Sequence, residues 1–308
     1  MSDDAPDEAE IEASRAPLLD HLVELRKRLI ICIVAIVAGF IVCFVFATQI
    51  YALLLHPFAI AANILAVRNA EAAHPTSGFD IKGLWDGTKN MFLALVGARS
   101  VPQAPDQHAL KLVFTAPLEF FFTKVKLAGF GAVVVAFPVL AWQVYAFVAP
   151  GLYKRERRAF LPFLVAAPVL FVAGAALVYF MILPFVLWFS LSQQIVGAGS
   201  ISVELLPKVS DYFSLVTTLL LAFGLCFQLP VVLTLLGMAG IVNSRMLMSG
   251  WRYAVLGVFV VAAIVTPPDP ISQTLLAFPI IGLYFASVLC VKLIERRRER
   301  EDAAAEAA

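Results

Sequence analysis

Charge is what this sequence has little of. Only 15% of its 308 residues are Asp, Glu, Lys or Arg and 61% are apolar, whereas soluble domains run roughly 25% charged and roughly 45–50% apolar. With a mean hydropathy of +0.88, a water-soluble globular fold is excluded and the chain reads as a membrane protein. An excess of either sign is also missing: 23 basic and 22 acidic residues leave +1, so nothing global points to nucleic acid. The four cysteines, Cys32, Cys43, Cys226 and Cys290, each lie inside an apolar run. They have neither metal-ligand nor redox spacing and read as small buried residues. Four scattered histidines without an H-E-x-x-H or paired-cysteine motif leave a metal site unsupported. There is no phosphate loop, cofactor fingerprint or nucleophile–base pair, so the sequence predicts neither a cofactor nor an enzyme.

Long charge-free stretches are what is there. An ion in the bilayer core costs several kcal/mol, so its absence locates spans more sharply than hydropathy does. The stretches predict an all-α integral membrane protein with six transmembrane helices at about 29–50, 120–149, 159–189, 211–238, 253–266 and 271–291. Phe120 to Val148 would measure about 43 Å as one helix against a hydrocarbon core of about 30 Å. Long spans must tilt or bend, and Pro138, Pro162, Pro168 and Pro184 supply kinks. The fifth span, at about 21 Å, is too short to cross unaided.

Basic residues sort by side. Arg26, Lys27 and Arg28 precede the first span, Lys154, Arg155, Arg157 and Arg158 separate the second and third, and Lys292, Arg296, Arg297, Arg298 and Arg300 follow the sixth. The positive-inside rule then puts both termini in the cytoplasm. Residues 1–17 are acidic, lack the basic-then-apolar order of a signal peptide and read as a disordered tail. The membrane domain runs 18–292, and 293–308 is a charged cytoplasmic tail. The long extracytoplasmic loop 51–117 holds an apolar, alanine-rich stretch, Ala59–Ala73, expected to lie as short helices on the outer surface. Asp106, Gln107 and His108 read as solvated loop.

The informative polar residues cluster at the cytoplasmic face. Leu18, Leu22, Leu25 and Leu29 share one face of an amphipathic helix that holds Glu24 near the surface. In the run Ala149 to Arg158, Glu156 sits among four bases. Simple pairing with neighbouring arginines accounts for both acids, at about 0–1 kcal/mol per exposed pair. The alternative is a fork of two carboxylates for guanidinium groups of a partner, a directional contact that lysine does not reproduce.

Three motifs carry a family resemblance: His21-Leu22-Val23-Glu24-Leu25-Arg26-Lys27-Arg28, the loop Phe147-Val148-Ala149-Pro150-Gly151-Leu152-Tyr153-Lys154-Arg155-Glu156-Arg157-Arg158, and Thr266-Pro267-Pro268-Asp269 followed by Ser272-Gln273-Thr274. Together they resemble the TatC family, the multispanning core of the twin-arginine protein translocase, over roughly residues 17–292. The resemblance implies a six-helix, cup-shaped receptor in the inner (cytoplasmic) membrane. It would bind twin-arginine signal peptides of folded precursors, recruit TatB-like and TatA-like single-span proteins, assemble as a homo-oligomer and work on the protonmotive force. Glu24, Glu156, Arg26 and Phe147 match signal-peptide positions. Pro57, Phe121 and Asp269 match positions that shape the receptor and its outer turn. Thr266 and Gln273 match a partner-docking patch, for which helix capping is the plainer reading. In Phe223-Gly224-Leu225-Cys226-Phe227-Gln228-Leu229-Pro230 the chain has Gln228 where the family often has Glu, so a mechanism that ionises this position is in doubt. A secondary transporter for a small solute is the alternative. It would need an internal repeat and ionisable residues within the bundle, and neither is clear.

Overall fold

The computed structural model describes the backbone over residues 5–71, 81–97, 112–148, 154–192, 207–265 and 270–306. Side chains within these stretches are described except at 5–21, 63–71, 81–85, 87–88, 148, 154–162, 191–192, 270–272, 298–299 and 301–306. Regular structure among the described residues is helical, apart from one parallel bridge between Val113 and Lys208. Among the described residues five helices are long and apolar enough to cross a membrane, and Ala47–Ala62 and Trp251–Val265 are shorter apolar ones.

Helices α1 (Ala5–Val45) and α2 (Ala47–Glu71) nearly form one rod, because Phe46 N donates to Val42 O and Ile50 N to Phe46 O across the joint. Within the acidic stretch expected as a disordered tail over 1–17, the backbone is helical from Ala5, and residues 1–4 lie outside the described residues. Its Ala and Glu residues are good helix formers, and the helix only has to propagate outward from the span.

Most of the apolar surface of α1 is exposed, as a lipid-facing helix requires, and the rest packs on α4 (Glu119–Val148). That seam is built from small residues. Gly39 and Cys43 on α1 and Ala47 at the start of α2 are buried, as are Ala128, Gly131, Ala132 and Ala136 on α4. The contact is tight: a Cβ on Gly131 would lie 2.8 Å from Cys43 Sγ, and one on Gly39 3.1 Å from Ala132 O. Spacing of four residues puts small side chains on one face, so two backbones approach closely where no hydrophobic effect drives helices together.

The third span is compound: α5 (Lys154–Leu177), a π-helical segment Val178–Ile182, and α6 (Leu183–Ser192). The π segment abuts Pro184, which cannot donate into the preceding turn. The fourth span breaks likewise, into α7 (Val209–Cys226) and α8 (Leu229–Met238), with Gln228 and Pro230 at the break. A turn containing α9 (Ser244–Ser249) leads to α10 (Trp251–Val265) and then α11 (Pro270–Glu306). Glu295 of α11 grips α9 by accepting from Ser244 N at 2.8 Å and from Ser244 Oγ, and Tyr284 OH donates to Leu247 O at 2.7 Å. Buried or half-buried hydroxyls of Thr123, Thr217, Thr234 and Ser287 turn back onto carbonyls four residues earlier, which satisfies them without water.

The segment expected as an outer loop is largely helical and belongs to the core. Leu54, Phe58, Ile60 and Ala61 of α2, with Met91 and Ala94 of α3 (Ile81–Leu95), are buried against α6, the π segment and α7. The buried residues on α2 sit within its apolar first half, 47–62, and it is this part that packs into the bundle. Asp106, Gln107 and His108 lie outside the described residues.

Candidate functional site

Two contacts give the direction of α1 and α2 against α4. The rings of Tyr51 and Phe120 meet at 5.7 Å, and Gly39 abuts Ala132. From Tyr51 back to Gly39 is twelve residues, as is Phe120 forward to Ala132. The helices are therefore antiparallel, and continuing each past the Gly39–Ala132 contact carries Glu24 toward the Phe147 end of α4. Glu24 also lies on the packed side of α1: the less exposed positions Glu24, Arg28, Cys32 and Ala35 lead at helical spacing into buried Gly39 and Cys43. Arg26 points elsewhere and is exposed. The structure thus brings Glu24 and Phe147 to one end of the same helix pair. Phe147 is half-buried and engaged there.

Glu24 is paired with its neighbour. Arg28 Nε donates to Glu24 Oε1 at 3.0 Å and a second guanidinium nitrogen contacts the same oxygen. Both contacts use Oε1. The pair is part-exposed and one helical turn apart, the class worth about 0–1 kcal/mol. A guanidinium arriving from outside therefore displaces little. Glu156 is the third residue of α5, which follows α4 after residues 149–153 and so starts at the Phe147 end. Its side chain is outside the described residues.

Gln228 sits half-buried at the break in the fourth span, and its Nε2 donates to Ala167 O on α5 at 2.9 Å. A neutral amide there ties two helices together, a role that an ionised carboxylate, which only accepts, cannot fill. Gln273 is half-buried too, with Nε2 donating to Phe259 O of α10 at 3.0 Å. Thr266 and Asp269 lie outside the described residues. Phe121, at the far end of α4 from Phe147, is exposed and edges against Phe122. Pro57 is buried inside α2.

Reasoning from sequence missed a second polar cluster, at the Phe121 end. Glu119 Oε2 accepts from Thr115 N at 2.7 Å, Thr115 Oγ1 at 3.1 Å and Ala116 N at 3.2 Å, while Oε1 accepts from Ser210 N at 3.0 Å. One carboxylate caps α4 and staples it to the start of α7, beside the Val113–Lys208 bridge. The local signal was available: Thr115, then Pro117, then Glu119 ahead of an apolar run follow the pattern of a capped helix start.

Comparison with known proteins gives the family of the chain. The family described as Sec-independent protein translocase protein (TatC) matches residues 20–279. A protein of that name from Magnetococcus marinus is 39% identical over 95% of this chain and 90% of its own length, and the chloroplastic one of Arabidopsis thaliana is 33% identical over 96% and 70%. A crystal structure of the twin arginine translocase receptor TatC superposes with a TM-score of 0.64 at 30% identity, covering 89% of this chain and 98% of that one.

Proposed function

Because the chain belongs to the TatC family of Sec-independent protein translocase proteins, we propose that it is the multispanning receptor of a twin-arginine translocation system. It binds the signal peptides of folded precursors at its cytoplasmic end, with both termini on that side of the inner membrane. Glu24 and Glu156 hold the two arginines, Arg26 sets the local charge, and Phe147 packs beside the peptide. The observation that carries this reading is the antiparallel pairing of α1 with α4, which carries Glu24 toward the Phe147 end of the bundle where α5 and Glu156 begin.

Binding is an exchange of partners at Glu24. The Arg28 contacts occupy Oε1, and an incoming guanidinium forks across both oxygens, replacing a weak exposed pair with a charge-assisted bidentate one. Lysine lacks the fork and gains less. Thr266 and Gln273 form the docking patch for TatB-like and TatA-like single-span partners, at the short α10 where the mismatch with the bilayer is largest. Several copies assemble in the receptor complex, and the protonmotive force drives transport. The solute-transporter alternative is not favoured, since the relatives are translocase proteins.

The test is direct binding of a twin-arginine peptide to the purified chain, with a twin-lysine peptide as control. Hydrogen bonds to charged groups are worth about 1.5–3 kcal/mol, so Glu24→Gln or Glu156→Gln should each weaken binding roughly tenfold or more. Unchanged affinity in the folded double variant refutes the assignment.

A further inference from the structure

Pro57 lies inside α2 and has no N–H, so the carbonyl of Leu53, four residues earlier, lacks its helical donor. The ring also pushes the adjoining turn open, which weakens the next bond, at Leu54. In a membrane protein such carbonyls need a donor from elsewhere in the protein. Both have one. Tyr179 OH donates to Leu53 O at 2.9 Å and Tyr212 OH to Leu54 O at 2.7 Å. The donors come from different elements: Tyr179 from the π segment of the third span, and Tyr212 from the first turn of α7. Tyr212 is 4% exposed, and its ring meets Phe58, the residue after Pro57, at 5.3 Å. One orphaned carbonyl and its neighbour thus meet two phenols that nothing in their own helices requires.

We propose that Pro57, Tyr179 and Tyr212 form one clasp that fixes outer helix α2 onto the third and fourth spans, and that the two tyrosines are positioning residues for translocation. Rotating one turn of the third span, as the extra residue of a π segment does, aims Tyr179 at α2. The clasp lies near the Phe120 end of α4 and opposite Glu24, so it acts on passage through the receptor and not on capture of the peptide. This role in transport rests on the receptor reading above. The coupling between the three residues does not.

The test is a double-mutant cycle in the full chain. Tyr179→Phe removes only the hydroxyl. It should lower the folded-to-unfolded ratio in detergent about five- to thirty-fold and slow export of a folded twin-arginine substrate several-fold, with peptide binding unchanged. Pro57→Ala returns an N–H to α2, so Leu53 O regains its own donor. Adding Tyr179→Phe in that background should then cost little further. Equal cost of Tyr179→Phe in both backgrounds would overturn the clasp. If Pro57→Ala fails to fold, amide hydrogen exchange decides: Tyr179→Phe and Tyr212→Phe should each speed exchange along α2, and unchanged exchange in both overturns the proposal. Failure of the wild-type chain to bind the peptide, with the coupling intact, would sink the receptor reading and the transport role, and leave the clasp as architecture.

Discussion

Adding one methyl group at Gly174 tests how the third and fourth spans are held together. A Cβ there would lie 2.8 Å from the carbonyl oxygen of Phe223 and 2.8 and 2.9 Å from ring carbons of Phe227. Neither neighbour has room to yield: the carbonyl moves only with α7, and the Phe227 ring is buried. The seam is reciprocal, because a Cβ on Gly224 would meet ring carbons of Phe171 at 2.6 Å. Overpacking of this kind costs about 1–3 kcal/mol, while alanine's better helix propensity returns up to about 1 kcal/mol. With the full offset a net loss of up to about 2 kcal/mol remains, or up to roughly a thirty-fold fall in the folded-to-unfolded ratio. Gly129, Gly257 and Gly282 are the matched controls, since each is helical and a Cβ there meets nothing within 4 Å. Alanine at those positions should be neutral or stabilising by up to about 1 kcal/mol. Heat-induced loss of the monodisperse peak of purified protein in detergent measures both. Gly174→Ala should also loosen the neighbouring Gln228–Ala167 bond and reduce export. If Gly174→Ala matches or exceeds wild type while Gly129→Ala gains nothing, close approach at this seam is not what holds α5 to α7.

Two further outcomes are expected at the polar residues of the bundle. Gln228→Leu removes the donor to Ala167 O and should impair export, whereas Gln228→Glu should leave transport active, the protonated acid keeping a donor; full export in Gln228→Leu cells would make the residue ordinary core. For the docking patch, cysteine crosslinking should place single-span partner helices against the Thr266 and Gln273 face, and Thr266→Val with Gln273→Leu should weaken the complex more than either alone, because interhelical hydrogen bonds in membranes average about 0.6 kcal/mol. Labelling confined to the third span around Ala173 or Leu177 would refute that face.

The long apolar helices and their breaks were legible in the sequence because the energetic rule behind them is local: an ion or a proline marks a boundary or a bend whatever the tertiary fold. Pro184 beside the π segment and Pro230 beside the break in the fourth span are instances. The outer segment 51–117 was not legible in the same way. An apolar helix in a membrane protein can face lipid, a surface or the core, and only the burial of Leu54, Phe58 and Met91 places these residues in the core. Glu24 falls between these cases. Its pairing with Arg28 follows from a spacing of four residues, but its place toward the Phe147 end depends on the antiparallel packing of two helices joined through a long connection. That packing is close at Gly39, Gly131 and Ala132, small residues whose meaning is purely relational.

Orphaned carbonyls behave the same way. Pro57 announces in sequence that Leu53 lacks a donor, yet nothing within α2 says where the donor stands. Tyr179 and Tyr212, 126 and 158 residues from their acceptors, become partners only once α2 is packed on the third and fourth spans. A proline inside an apolar helix is therefore a half-statement whose other half must be a donor elsewhere in the bundle. In this chain that donor stands at the Phe120 end of the bundle, opposite Glu24. If binding and passage are separable steps, variants at the two ends should separate them, with Glu24→Gln lowering affinity and Tyr179→Phe lowering export at unchanged affinity.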